Sequence, residues 1–110
     1  NDVSEHNRNQ RAAGFALLQE LAALQLLVDH LTYSDDRQKG DTIAGWTRVI
    51  FIGDLAHLTS SKVDEGARNL RTQWGADVGR LESSEEANKA MSRSIESLRQ
   101  ETLNALSGLL

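Results

Sequence analysis

The chain has no cysteine and no proline among its 110 residues, and only five aromatic side chains. The missing cysteine excludes a disulfide framework, a thiolate metal site and a cysteine nucleophile. The missing proline is more informative, because average usage puts about five prolines in a chain this long and proline breaks helix interiors. Long uninterrupted helices are therefore expected. The scarcity of aromatics, against plentiful Ala, Leu, Glu, Gln and Arg, points the same way, since sheets favour β-branched and aromatic residues.

Basic charge is also in short supply. Twelve Lys and Arg against 16 Asp and Glu leave a net charge of −4, without the cationic excess that phosphate-backbone binding requires. Nucleic acid is not an expected partner. The longest near-continuous apolar run, Val49 to Ile52, is far short of the ~20 residues that span a bilayer, so no membrane-spanning segment is expected within the chain. The first residues, Asn1 to His6, carry neither a basic nor an apolar targeting region and no initiating Met, which leads us to expect a piece of a longer or processed chain. The hydrophobic share, 39%, is enough for one core, and 110 residues suit one domain.

What is present is helical periodicity. Val3, Asn7, Gln10, Gly14, Leu17, Leu21, Leu24, Val28 and Leu31 follow a 4-3-4-3 spacing, the seam of a helix packed on other helices. A second stripe, Phe15, Leu18, Ala22 and Leu26, widens this surface and predicts contact with at least two neighbours. A loop rich in turn residues follows over 34–41. On the next helix Ile43, Trp46, Ile50 and Gly53 share one face and Phe51, Leu55 and Leu58 another, which predicts a strongly buried element. Val63, Ala67, Leu70, Trp74, Val78 and Leu81 form a third stripe, with Ser61 as its N-cap and with Gly75 and Gly79 weakening its end. Ser83 and Glu86 fit a capping box that opens a fourth helix. That helix carries Ala87, Met91, Ile95, Leu98, Thr102, Ala105 and Leu109 on one face.

These elements predict an all-α, antiparallel up-down-up-down four-helix bundle forming a single domain, with helices near 3–32, 42–58, 62–81 and 84–109. The first and last are the longest. In this topology their free ends lie side by side and are expected to project as a two-helix stalk. Asn7, Gln10, Gly14, Leu106 and Leu109 then become candidate interface residues for a second copy or a partner helix.

Catalytic and metal signatures are absent. His6, His30 and His57 are far apart, no His pair falls at i, i+4, and no Glu-x-x-His pair of the di-metal bundles occurs. Asp54 and His57 share a face, as many helix-surface pairs do. No glycine-rich phosphate loop and no nucleophile turn is present. No enzyme activity, cofactor or metal is therefore expected. Arg68 and Arg71, one turn from Trp74, form a candidate pocket for a small anionic ligand, because a guanidinium offers a planar fork to a carboxylate and stacks on an indole; Arg48 near Trp46 is a similar pairing.

Two functions fit. The first is a periplasmic or otherwise extracytoplasmic sensing domain of a bacterial membrane-tethered signalling protein, attached through flanking sequence and transmitting by helix displacement. The alternative is a self-contained helical adaptor, cytoplasmic or periplasmic, that dimerises or binds a partner helix.

Overall fold

A computed structural model describes residues 2–34 and 41–109. Four α-helices make up these residues: α1 (Asp2–Tyr33), α2 (Thr42–His57), α3 (Ser61–Asp77) and α4 (Glu85–Ser107), with one 3-10 turn, Val78–Arg80, after α3. Among the described residues there is no strand. The apolar run Val49–Ile52 lies inside α2. The expected first loop falls largely on residues 35–40, outside the described residues.

The starts of α2, α3 and α4 are each fixed by a side chain that satisfies backbone N–H groups otherwise left without partners. The Asp41 carboxylate accepts from the N–H of Ile43 at 2.8 Å, and the Ser60 hydroxyl accepts from Val63 at 3.3 Å. Ser84 accepts from Ala87 at 3.1 Å. Both serine caps are displaced by one residue from the sequence expectation, which placed them at Ser61 and Ser83. The fourth residue from Ser84 is Ala87, so the reciprocal Glu86 contact of a capping box does not form. At the other end of α3 the glycine-weakened stretch leaves α-geometry after Asp77 and tightens into the 3-10 turn, closed by Leu81 N–H to Val78 C=O at 3.3 Å.

α1 packs on α2 and α4, and α3 packs on α2 and α4. The enclosed core is built from one stripe per helix: Leu17, Leu21, Leu24 and Val28; Val49, Ile52 and Ala56; Val63, Ala67, Leu70 and Trp74; Ala87, Met91, Ile95 and Leu98. Removing the Val, Leu, Ile and Met side chains among them from water supplies about 1.5–3 kcal/mol each, and this tertiary packing is what holds the four helices together.

Two packing expectations fail. The α2 face that points inward carries Gly45, Val49, Ile52, Leu55 and Ala56, and Ile43, Trp46, Ile50, Phe51 and Leu58 remain exposed. α2 is apolar nearly all round, so periodicity could not tell which side is covered. On α1 the stripe of Phe15, Ala22 and Leu26 is likewise exposed, and the two neighbours of α1 are reached through the first seam instead. The expected two-helix stalk is also reduced. The Gln10 amide reaches the carbonyl of Thr59 at 3.1 Å in the α2–α3 turn, and Leu106 meets Gly14, so α4 ends beside that turn and only the first two turns of α1 extend past it.

α1 bears on the expectation drawn from uninterrupted apolar runs without deciding it. It contains an 18-residue window of mean hydropathy 1.4, long and apolar enough to cross a bilayer by length and composition, of which 39% is buried within the fold. Gln19, Glu20 and Gln25 break the apolar run without cancelling its average. A core helix passes the same test, and Leu17, Leu21, Leu24 and Val28 are core.

Candidate functional site

The residues expected to bind an anion separate in space. Trp74 is fully buried. Its ring stands edge-on to Trp46, with centroids 6.2 Å apart and planes at 81°, and its indole N–H has no hydrogen-bond partner. It has no face for a ligand to stack on. Arg68 and Arg71 do come together, in a shallow groove of about 280 Å³ between α2 and α3. Arg68 is bound to Asp64 at 2.7 Å, and Asp54, Asp64 and His57 share the groove. Two arginines facing two carboxylates give no net attraction for an anion. His57 lies 3.8 Å from Asp64 and not on Asp54. Arg48 is held by Glu20 at 2.7 Å across the α1–α2 contact, away from any pocket with Trp46. Among the described residues no three His, Asp or Glu side chains gather as a metal site.

The expected interface residues meet inside one chain. Gln10, Gly14, Leu106 and Leu109 line a cavity of about 230 Å³ closed by Thr59, Thr102 and Ala105. Leu106 packs where a Gly14 side chain would stand: a Cβ there would lie 2.7 Å from a Leu106 methyl. Glycine is needed at this one close approach. Asn7 is half-buried and lies outside the cavity lining.

At the opposite end, α1 and α4 are joined by a polar network that the sequence reading missed. Asn88, 5% exposed, donates to Asp29 and Thr32, both at 3.1 Å. Gln25 donates to Asp29 at 3.2 Å and to Ser92 at 3.0 Å, and Ser92 donates to Asn88 at 3.3 Å. Three of these bonds, Asn88 to Asp29, Asn88 to Thr32 and Gln25 to Ser92, cross between the helices and form only when the helices keep one register, so the network resists sliding of α4 along α1. Its signal in the sequence is a polar i, i+4, i+7 stripe, Gln25, Asp29 and Thr32, matched by Asn88 and Ser92 at i, i+4. Beside it the Tyr33 hydroxyl is raised above its ordinary pKa by loss of solvation and by the neighbouring Glu85 carboxylate.

The most distinctive surface is the outer side of α2. Ile43, Trp46, Ile50 and Gly53 keep a 3-4-3 spacing, and Ile43 is 76% and Ile50 48% exposed. Space outside Gly53 is open, with nothing within 4 Å of a Cβ placed there. From Thr42 to Gly53 the one charged residue is Arg48, and Glu20 neutralises it. The outer residues of α3 and α4, among them Lys62, Glu65, Arg71, Glu86, Arg93 and Arg99, are by contrast exposed and charged.

Comparison with protein-family models, with curated proteins and with solved structures finds no match to this chain.

Proposed function

We propose that this chain is a helical binding module that captures an amphipathic helix of a partner protein along the outer side of α2. The observation that carries this reading is the seam of exposed Ile43, Trp46 and Ile50 in line with half-buried Gly53. A 3-4-3 apolar spacing is the pattern on which helices interlock side chains, and water-exposed apolar rows of this kind mark interaction surfaces. Between Ile43 and Gly53 the chain carries no charge but Arg48, which Glu20 holds, and this suits an apolar partner face bordered at Ile50 and Gly53 by the charged groove of Arg68 and Arg71. The supporting frame is an antiparallel up-down-up-down bundle, a reading favoured by the pairings of Gln10 with Thr59, Gly14 with Leu106 and Asn88 with Thr32. Rigid helices hold the seam in place without any ligand.

The test uses a helical peptide of ~21 residues, three heptads with Leu at both seam positions, titrated into the isotope-labelled chain. Binding should move the amide resonances of 43–57 and change Trp46 fluorescence in a Trp74→Phe background, and Ile50→Asp should abolish both. Amide shifts confined to other helices, or none, would reject the α2 seam.

A sensing role is the second reading, favoured by the 230 Å³ cavity where α1, α4 and the α2–α3 turn meet. A small, mainly apolar ligand there would touch α1 and α4 together at the end away from Asn88. With the Asn88 end pinned, its signal would be a tilt of α4 and not a slide. Membrane attachment and an extracytoplasmic location belong to this reading. A series of small apolar alcohols that raises the melting temperature of the chain, and fails to do so for Leu106→Trp, would support it; no rise with any member would remove it.

A further inference from the structure

The outer side of α1 carries a second unpartnered row, distinct from the α2 seam, and its charge is ordered along its length. Arg8, Phe15, Ala22, Leu26 and Tyr33 are separated by 7, 7, 4 and 7 residues, which at 100° per residue puts all five within about 40° of one line on the helix. All five are exposed, Phe15 by 55% and Leu26 by 60%. Arg11 borders the row at its start and Asp29 at its end, five turns apart and on the same bearing. Neither Arg8 nor Arg11 pairs with a carboxylate among the described residues. At the other end the Glu85 carboxylate neighbours Tyr33, and the donors Gln25 and Asn88 both reach the same oxygen, Oδ1, of Asp29.

We infer that this row binds the same row of a second copy of the chain, antiparallel, about a two-fold axis near residues 20 and 21 of α1. The ordering of charge decides both the occupant and the direction. A parallel pair would bring the arginines of both copies together. An antiparallel pair sets Phe15 against Leu26 of the second copy and Arg8 against its Tyr33–Glu85 pair, with Arg11 near its Asp29. Arginine gains there both a carboxylate and an aromatic face. The small Ala22 beside the axis allows the helices to approach closely. The contact is isologous, so each apolar and each ionic contact is made twice.

The test is sedimentation velocity of the full chain over a concentration series, with helicity checked by circular dichroism. The wild type should form a reversible dimer. Leu26→Arg, at a position open to solvent and away from the core, should keep the helical spectrum and raise the dissociation constant at least ~tenfold, which is about 1.4 kcal/mol. Arg8→Glu and Glu85→Arg should each weaken the dimer, and the double variant should regain most of the loss. Ile50→Asp on α2 should leave the dimer intact, which separates this contact from the α2 seam. A chain that stays monomeric up to ~0.5 mM, well above the concentrations at which specific dimers form, overturns the inference. So does a dimer indifferent to Leu26→Arg, a charge-swapped pair that regains nothing, or a monomer that co-floats with phosphatidylcholine vesicles, which would make lipid the occupant of the row.

Discussion

Gly45 and the Trp74 indole occupy each other's space: a Cβ at position 45 would lie 2.4 Å from both Cζ2 and Cη2 of the ring. Glycine on α2 is what lets the largest core side chain cross from α3. Trp74 is fully buried and the Leu27 side chain closes the same site, so the ring has nowhere to retreat. Gly45→Ala should lower stability by about 1–3 kcal/mol through overpacking, despite the better helix propensity of alanine. Gly53→Ala, on the open side of the same helix, should raise it by about 0.5–1 kcal/mol. Urea unfolding midpoints of the two variants should move in opposite directions.

The two sides of α2 differ in the same manner. Ile52 is fully buried and Ile50 is half exposed. Ile52→Ala should cost about 2–5 kcal/mol, and Ile50→Ala no more than about 0.5 kcal/mol. Equal losses in thermal or chemical unfolding would mean that α2 packs through its other face.

Asn88 joins α4 to Asp29 and Thr32 of α1. Asn88→Ala should cost about 1–3 kcal/mol, because acceptors left dry cost more than the bond contributed. A double-mutant cycle with Thr32→Val should show coupling above about 0.5 kcal/mol. Additive losses would show that the two side chains do not communicate.

The start of α4 is marked by one of two adjacent serines. Ser84→Ala removes the acceptor for the Ala87 N–H and should cost about 0.5–2 kcal/mol. Ser83→Ala should be close to silent. The reverse order of losses would restore the cap one residue earlier.

Glu96 accepts from the Gln100 side-chain amide at 2.9 Å and from Arg99 at 3.1 Å. These bonds, the Gln100 one first, hold its carboxyl below the usual glutamate pKa. A depressed folded-state value contributes stability that is present above the ordinary glutamate range and lost as pH falls through the lowered value. Carbon-detected NMR titration should find the Glu96 midpoint below that of exposed glutamates, and Gln100→Ala should return it upward. An unchanged midpoint in that variant would assign the shift elsewhere.

Much of the fold is legible in the residues themselves. The lack of proline, the four apolar stripes and the turn residues between them are local properties, and α3 and α4 start within about a residue of where their cap chemistry places them. The seams of α3 and α4 are also legible, because on those helices one apolar face stands against a polar one; on α1 the first stripe is covered from Leu17 onward and the second, with Phe15 and Leu26, is not. α2 carries no such contrast. Ile43, Trp46 and Ile50 have the same periodic claim on the core as Val49, Ile52 and Ala56.

That choice was made by what the neighbours offered. Gly45 accepts Trp74, and Arg48 points to Glu20, which turns one side of α2 inward and leaves the seam outside. The candidate anion-site residues part for a related reason: sequence spacing puts Arg68, Arg71 and Trp74 on neighbouring turns, but packing draws the indole into the core and leaves the arginines at the rim. The pairing of Asn88 with Asp29 and Thr32 spans more than 50 residues. The sequence by itself determined that the chain is helical, roughly where its helices begin and that α3 and α4 each have one unmistakable inner face. The tertiary structure alone decided which apolar rows are covered, because burial belongs to pairs of surfaces and a single strip of residues holds only one member of each pair.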